Sequence, residues 1–280
     1  MKRLLLAFTA VLFFALALSS CKKDETNNVN NNGNTENPGG GSGSDSQDYP
    51  STAIVIHDAV TDIDGNSYDA VQIGNQVWMA ENLRTTRYAD GTVIGEGTFA
   101  SIFTPSTDVD TYGYLYNWDA VMQNEDFSSS NPSGIQGICP TGWHVPSNAE
   151  WTQLTAYLGS HSEYVCSGSG DKIAKALAST NGWLLCDGDE CVVGNNPSTN
   201  NVTGFSALPA GSYNGNGYVT FGNEATFWST SGNDQGALGH RYATRCLLSS
   251  NAANVDYRSV QLNTNYGNTN YGFSVRCVRD

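Results

Sequence analysis

The clearest pattern of hydrophobic and polar positions in this chain is a helical one. Trp151, Leu154 and Leu158 fall at positions i, i+3 and i+7, so their side chains lie along one face of a helix. Ser147 and Glu150 have the spacing of a capping box, in which each side chain accepts a hydrogen bond from the backbone N–H of the other residue. The pattern therefore predicts an amphipathic helix that begins after Ser147, ends at a glycine, and buries its apolar face.

The other apolar runs are shorter and predict mainly strands. A second, shorter helix is expected at about residues 171–179. Alternating residues between 62 and 79, interrupted by Gly and Asn, predict strands joined by tight turns. This order of elements predicts an α+β fold in which two helices pack on a small twisted antiparallel sheet with long loops. Further strand-like runs lie between Gly- and Asn-rich loops at residues 205–211, 225–230, 240–248 and 272–278.

The start of the chain has the pattern of a targeting segment followed by a tether. Residues 1–20 contain two basic residues and then an apolar run of signal-peptide length, which ends in a Leu-Ser-Ser-Cys sequence that resembles a bacterial lipobox. Cys21 is therefore the expected lipidation site, with an ordinary secretory signal as the alternative. Residues 21–50 are expected to hold the lipidated cysteine and a flexible Asn-, Gly- and Ser-rich tether, and residues 51–280 the folded domain.

The sequence directly after Cys21 bears on localisation. Lys-Lys-Asp-Glu at positions 22–25 resembles the export signal that sends Bacteroidetes lipoproteins to the outer face of the outer membrane, and a solvated charge run is the alternative. An anchor with two or three acyl chains is stable in a bilayer, whereas a single chain is marginal. We therefore expect a protein that is lipid-anchored in the cell outer membrane and exposed at the surface.

Composition narrows the partners and the redox environment. The chain has 13 basic and 27 acidic side chains, a formal net charge of −14, which argues against binding to nucleic acid or anionic lipid but is compatible with Ca²⁺. Seven cysteines are present, and setting Cys21 aside leaves an even number, which in an exported chain predicts three disulfides with fifteen possible connectivities. No Cys-x-x-Cys pair is present, so a zinc site is not expected. The six cysteines are Cys139, Cys166, Cys186, Cys191, Cys246 and Cys277.

Six further motifs follow one another along the domain. They are Gln-Val-Trp-Met-Ala-Glu-Asn-Leu at 76–83, Tyr-Gly-Tyr-Leu-Tyr-Asn-Trp at 112–118, the run from Gly137 to Trp151, Gly-Phe-Ser-Ala-Leu-Pro-Ala-Gly at 204–211, Phe-Trp-Ser-Thr at 227–230 and Ser-Val-Arg-Cys at 274–277. Together with the Asp-Ile-Asp-Gly-Asn run at 62–66, they resemble the Fibrobacter succinogenes major paralogous domain, a family of exported and often lipid-anchored bacterial proteins. That family is similar to the C-type-lectin-like fold shared with formylglycine-generating enzymes, so the resemblance implies this fold.

The resemblance also bears on the disulfides. In C-type-lectin-like folds the last strand lies beside the first helix, which implies that Cys139 pairs with Cys277. That bond would close a loop of about 138 residues, worth roughly 4–5 kcal/mol on the loop-entropy model. Cys186 and Cys191 flank a short acidic segment and are expected to close a hairpin.

Signals for catalysis are few. The chain has no Gly-x-Ser-x-Gly elbow and no His-Glu-x-x-His sequence. Cys166 and Cys246 remain as the third disulfide pair. They are also the candidates for the reactive thiols of a formylglycine-generating enzyme, which is the alternative function that the resemblance implies. We expect His144 to be structural, and we expect neither catalysis nor a resident cofactor.

For binding, the strongest candidate is the loop of residues 212–224. The resemblance places it where C-type lectins carry their ligand-bearing long loop, and amides and carboxylates flanked by tyrosines suit sugar hydroxyls or Ca²⁺. The lectin tripeptides Glu-Pro-Asn and Gln-Pro-Asp are absent, which argues against calcium-dependent sugar binding, and a solvated loop is the alternative. The candidate ligand-binding residues are Tyr213, Asn214, Asn216, Tyr218, Asn223 and Glu224.

Three other features are weaker candidates. Asp187, Asp189 and Glu190 either hold a cation or form an exposed acidic turn. The aromatic residues at 112–118 either form a platform for a polysaccharide or pack in the core. The segment at 92–106 is either a specificity insertion or a loop. Taken together, the sequence predicts a surface-anchored lipoprotein with a non-catalytic module that binds an extracellular glycan or protein, and a purely structural surface protein is a further alternative.

Overall fold

The computed structural model describes residues 21–22, 53–95, 102–104, 108–235, 240–262 and 271–280. The predicted signal peptide and nearly all of the predicted tether lie outside the described residues. The helices are α1 (Val109–Tyr112), α2 (Trp118–Met122), α3 (Asn148–Gly159) and α4 (Ala174–Leu177), with short 3₁₀ turns at Ser162–Tyr164, Cys166–Gly168 and Pro197–Thr199. The strands are β1 (Cys21–Lys22), β2 (Ile54–Thr61), β3 (Ser67–Ile73), β4 (Gln76–Met79), β5 (Ile102–Phe103), β6 (Leu115–Tyr116), β7 (Trp143–His144), β8 (Leu185–Cys186), β9 (Ser212–Tyr213), β10 (Tyr218–Val219), β11 (Glu224–Gln235), β12 (His240–Ser249), β13 (Asp256–Leu262) and β14 (Val278–Arg279).

Small antiparallel sheets and few helices make up this mixed α and β fold. The largest sheet has the order β2-β3-β4-β14-β7. The predicted tight turn between β2 and β3 is present, because the Asp62 carboxylate accepts hydrogen bonds from the backbone N–H groups of Asp64 (3.0 Å) and Asn66 (2.9 Å), and Gly65 adopts a positive φ of 88°. β14 lies between β4 and β7, so the sheet joins segments that are far apart in the sequence.

The second sheet contains β11, β12 and β13. It confirms the strands predicted at 225–230 and 240–248 and adds β13, which was not predicted because polar and charged residues dominate it. The pairing of β11 with β12 shifts register between Trp228 and Gly232, which marks an irregularity in the strand. The strand predicted at 205–211 is wrong: this segment makes only single bridges and packs in the core. The run predicted at 272–278 forms isolated bridges and the start of β14.

The predicted amphipathic helix is confirmed as α3. Ser147 Oγ accepts from the Glu150 N–H (3.2 Å), and the Glu150 carboxylate accepts from the Ser147 N–H (2.8 Å). Trp151 on the buried face lies 4.4 Å from Trp78, measured between ring centroids. The second helix is shorter than predicted, because α4 ends where the Ser179 N–H turns away to donate to a carbonyl of the 205–211 segment. Among the described residues α3 is thus the one helix longer than two turns.

A buried arginine connects these elements. The side chain of Arg276 is fully buried and donates to Asn82 Oδ1 (2.8 Å) and to the backbone carbonyls of Met79 (3.0 Å), Phe205 (2.5 Å) and Ser206 (2.8 Å). Its guanidinium carbon lies 4.8 Å from the centroid of the Phe205 ring. Arg276 therefore satisfies carbonyls of the irregular 205–211 segment, which has few strand partners of its own.

One predicted disulfide is confirmed. Cys139 and Cys277 are bonded, with their Cα atoms 6.0 Å apart and a sequence separation of 138. The bond ties the segment before α3 to the segment before β14. Since both half-cystines are fully buried, this disulfide lies within the core.

The other two predicted pairings, Cys186 with Cys191 and Cys166 with Cys246, are wrong. Cys191 pairs with Cys166, and Cys186 pairs with Cys21. Cys246 is free and fully buried in the middle strand β12, where the core encloses its side chain and keeps it from the partly exposed turn that carries Cys166. Nearness in sequence suggested the first pairing, but the strand β8 directs Cys186 toward β1 instead.

The Cys21–Cys186 bond bears directly on the predicted lipid anchor. A sulfur in a disulfide cannot also carry the thioether of a lipid, so this bond and lipidation of Cys21 exclude one another. Across the ranges that the structure describes, no helix combines the length and the apolar character needed to span a bilayer.

Candidate functional site

A short hairpin carries the tyrosines of the predicted ligand loop. β9 pairs with β10, and Tyr213 lies directly opposite Tyr218 with the ring centroids 5.4 Å apart. Asn214 Oδ1 accepts from the backbone N–H groups of Asn216 (3.0 Å) and Gly217 (3.2 Å), which closes the turn between the strands. We call residues 212–219 the aromatic hairpin.

A third ring extends this surface from a distant part of the sequence. The Phe103 ring stacks on the Tyr213 ring, with centroids 4.1 Å apart and an angle of 14° between the planes. Gly272 exchanges two backbone hydrogen bonds with Tyr213 (2.9 and 3.0 Å), and a Cβ at position 272 would lie 2.5 Å from the Phe103 ring. Glycine at 272 therefore lets Phe103 lie against the hairpin. Phe103 belongs to the segment predicted as an insertion or loop, much of which lies outside the described residues.

A second aromatic pair follows the hairpin. Phe221 lies 5.0 Å from Tyr112 between ring centroids. Phe221 is 42 % exposed and Tyr218 is 49 % exposed, so both rings face solvent. The rest of the 112–118 run does not form a surface platform, since Tyr116 and Trp118 are buried in the core. Exposed aromatic surface with polar neighbours is typical of an interaction site.

Two of the six predicted ligand residues lie away from the hairpin turn. Asn223 accepts a hydrogen bond from the Ser250 N–H (2.8 Å) through its backbone carbonyl and another from the Ser250 hydroxyl through Oδ1. Glu224 begins β11 opposite Ser249. Burial lowers the pKa of Arg245, and the negative charge of Glu224 opposes that shift. The structure thus keeps Tyr213, Asn214, Asn216 and Tyr218 together. It places Asn223 in the turn before β11 and Glu224 at the first position of that strand.

The acidic segment does not converge on a cation. Asp189 accepts from the Cys191 N–H (3.0 Å) and forms an ion pair with a neighbouring lysine (3.0 Å). In the described ranges, one group of three metal-ligating side chains comes within 4.8 Å, and it joins Glu190 to Cys166 and Cys191 rather than to Asp187 and Asp189. The two sulfurs of that group are joined in a disulfide. An acidic turn therefore describes this segment better than a cation site.

His144 is buried between two carboxylates. Its Nε2 lies 2.6 Å from Glu150 Oε1, and its Nδ1 lies 2.7 Å from Asp280 Oδ1. Burial opposes the charged ring, but the hydrogen bonds to Glu150 and Asp280 outweigh it and raise the pKa of His144. Because both ring nitrogens are engaged and Glu150 also caps α3, the arrangement is that of a structural clamp, as expected for His144.

Cys166 and Cys246, the candidate reactive thiols of a formylglycine-generating enzyme, do not form a pair of free thiols in the structure. Cys166 is bonded to Cys191, and burial raises the pKa of the Cys246 thiol, which disfavours the nucleophilic thiolate. Phe103 and Phe221 were not predicted as ligand-binding residues, although they lie within the candidate segments 92–106 and 212–224. Their contacts with Tyr213 and Tyr112 arise from tertiary packing and leave no local pattern.

Of three comparisons with known proteins, one gives a match. The family described as the Fibrobacter succinogenes major domain matches residues 71–279, which is more than half of the chain. The matched range includes the aromatic hairpin, α3 and the Cys139–Cys277 disulfide. No curated protein and no solved structure matches the chain. The chain belongs to the Fibrobacter succinogenes major domain family.

Proposed function

We propose that this chain is a surface-anchored lipoprotein whose domain binds an extracellular glycan at the aromatic hairpin and catalyses no reaction. The observation that carries the proposal is the solvent-facing ring of Tyr218, which lies against the Tyr213 ring that stacks on Phe103. The solvent-facing ring of Phe221 follows directly after the hairpin and lies against Tyr112. An extracellular protein is the alternative ligand, because exposed aromatic residues are also enriched at protein interfaces.

The chemistry of the hairpin suits a saccharide. A tyrosine combines a broad apolar face with a polar hydroxyl, and a sugar ring likewise has apolar C–H faces and polar hydroxyls. The exposed Asn216 amide lies in the turn beside these rings and can both donate and accept hydrogen bonds. Tyr213 is already held by Phe103 and Gly272, so little conformational entropy is lost when a ligand stacks there.

The proposal includes a C-type-lectin-like arrangement of the domain. Two observations support it: β14 lies beside β7, directly before α3, and the Cys139–Cys277 disulfide ties these segments together. The hairpin then occupies the position of the ligand-bearing long loop. An experimental structure that superimposes on no C-type-lectin-like domain would remove this part of the proposal.

The proposal also includes a lipid on Cys21, supported by the lipobox-like sequence at the end of residues 1–20. Thiol counting in denaturant distinguishes the two states of this cysteine. The disulfide state leaves one thiol, Cys246, whereas lipidation leaves two, Cys186 and Cys246. We expect two thiols, and an acylated N-terminal peptide by mass spectrometry, in chain extracted from the outer membrane. An unmodified Cys21 in that chain would exclude the anchor.

A glycan array tests the binding proposal. The purified chain is applied with and without Ca²⁺, beside Tyr218→Ala and the control Tyr164→Ala, which removes a partly buried tyrosine distant in sequence from the hairpin. We expect calcium-independent binding that Tyr218→Ala weakens about tenfold or more, because a tyrosine at a binding hot spot contributes about 2 kcal/mol or more. Tyr164→Ala should bind normally.

The choice of Tyr218 avoids a structural artefact. Asn214 holds the turn, so its substitution would disturb the hairpin whether or not a ligand binds there. An array on which no glycan is retained would overturn the glycan proposal. Retention of a surface protein by the wild-type chain and not by Tyr218→Ala would instead establish the protein alternative at the same site.

A further inference from the structure

A polar cleft opens at the other end of β11 from the aromatic hairpin. It lies between the start of α3 and the sheet of β11, β12 and β13, and its volume is about 470 Å³. Small-molecule sites in proteins commonly range from about 300 to 1,000 Å³. The cleft is therefore large enough to hold part of an oligosaccharide.

The floor of the cleft follows from the register of the sheet. Tyr242 and Thr244 line the cleft, while Ala243 between them is fully buried on the opposite face. Ser259 pairs directly with Thr244 across β12 and β13, and Asn233 pairs with Tyr242 across β11 and β12. Four polar side chains from three strands therefore meet on one face of the sheet.

The wall of the cleft is formed by the first turn of α3. Asn148 and Ala149 line it, and the Asn148 N–H donates to Ser231 Oγ (2.9 Å). Ser231 Oγ in turn donates to the carbonyl of Ser128 (3.0 Å). These bonds hold the helix start against β11, so the cleft is formed before any ligand arrives.

The chemistry of the lining indicates a neutral ligand. None of the residues that line the cleft is Asp, Glu, Lys, Arg or His, although the chain as a whole has a formal net charge of −14. Within the ranges that the structure describes, the side chains of Asn233, Tyr242, Thr244 and Ser259 make no hydrogen bond. Hydroxyl and amide groups both donate and accept, as the hydroxyls of a sugar do, whereas a charged ligand would find no counter-charge.

We propose that this cleft is a second binding site, specific for a neutral saccharide and independent of the aromatic hairpin. Near the start of β11, Ala225 forms a bridge to Gly211, which directly precedes the hairpin. Farther along the same strand, Ser231 is the first residue that lines the cleft. Ser231 lies six positions after Ala225, which corresponds to about 20 Å along an extended strand. Because the two sites share no lining residue, each can be removed without the other.

Calorimetric titration tests the cleft. The purified chain is titrated with the neutral hexasaccharides cellohexaose, xylohexaose and mannohexaose, and with hexagalacturonic acid as the charged comparison. Tyr242→Phe and Thr244→Val each remove one hydroxyl, and Ala149→Phe fills the cleft. The control Thr61→Val changes an exposed strand threonine in the other sheet, and Tyr218→Ala removes the hairpin ring. Thermal unfolding checks that every variant is folded.

We expect at least one neutral hexasaccharide to bind. Each hydroxyl deletion should weaken its binding about three- to tenfold, as the loss of one neutral hydrogen bond predicts, and Ala149→Phe should abolish it. Thr61→Val and Tyr218→Ala should leave this binding unchanged. The proposal is overturned if no neutral hexasaccharide binds, if the acidic one binds better, or if the cleft variants bind as the wild type does. Loss of binding only in Tyr218→Ala would support the hairpin and overturn the cleft.

Discussion

Replacement of Arg276 by methionine tests the packing that supports the whole domain. The guanidinium of Arg276 donates to four buried acceptors, three of which are backbone carbonyls. Methionine fills much of the same space but donates no hydrogen bond. The substitution therefore leaves these acceptors without their donor in a site that is closed to water.

The expected loss is large relative to the stability of a domain. A buried acceptor left without a partner costs about 1–3 kcal/mol, and contributions within one network are not additive, so we expect Arg276→Met to lower the free energy of unfolding by about 4 kcal/mol or more. The free energy of unfolding of a typical domain is only about 5–15 kcal/mol. Arg276→Lys keeps the charge but loses the planar fork, so we expect an intermediate loss of about 1–3 kcal/mol.

Urea unfolding followed by tryptophan fluorescence measures these losses with the disulfides intact. Arg279→Met is the matched control, since Arg279 lies three positions away and is exposed, so its replacement should change stability by less than about 0.5 kcal/mol. If Arg276→Met fails to fold, the stability loss of Arg276→Lys still measures what the planar guanidinium contributes. An Arg276→Met chain within about 1 kcal/mol of the wild type would refute the assigned role of this network.

Three further predictions concern α3 and its surroundings. The free energy of unfolding should fall as the pH rises above about 6.5, because the stabilisation from charged His144 is complete below the unfolded pKa and is lost through the raised folded pKa. Urea titrations from about pH 5 to 9 measure this pH dependence. A His144→Gln chain whose free energy of unfolding falls with pH as steeply as that of the wild type would contradict the assignment to His144. Ser147→Ala should lower stability by about 0.5–2 kcal/mol through loss of the helix cap, and an unchanged melting temperature would argue against that role. Replacing both Cys139 and Cys277 by serine should lower stability by about 4–5 kcal/mol on the loop-entropy model, and a loss below about 1 kcal/mol in urea unfolding would contradict it.

The elements that could be predicted from the sequence are those fixed by local interactions. The cap and apolar stripe of α3 involve residues within about three helical turns, and the β2–β3 turn is closed by side chains a few positions apart. β13 was missed because most of its residues are polar or charged and give no clear apolar alternation. Its place in the sheet follows from its pairing with β12, which the local sequence does not show. The 205–211 segment resembled a strand because it is apolar, but its carbonyls bond to Arg276, which is distant in sequence.

Some residues of the candidate site could likewise be predicted from the sequence, and others could not. Tyr213 and Tyr218 were predicted because the family resemblance marks residues 212–224 as a ligand-bearing loop and because these tyrosines flank its amides. Phe103 was not, because its contact with Tyr213 depends on a close approach allowed by Gly272. The disulfides follow this rule as well: the pairing inferred from nearness in sequence is wrong, since strand direction, and not spacing, determines where Cys186 faces.

Side-chain NMR of the tyrosine rings tests the central claim most directly. The chain is labelled with ¹³C in its tyrosine rings and titrated with the saccharide that the array identifies, and signals are assigned with single Tyr→Phe variants. We predict saturable shifts of the Tyr213 and Tyr218 ring signals, with the saccharide recovered unchanged. Shifts confined to other tyrosines, or conversion of the saccharide to a product, would contradict the proposal that the aromatic hairpin is a non-catalytic binding site.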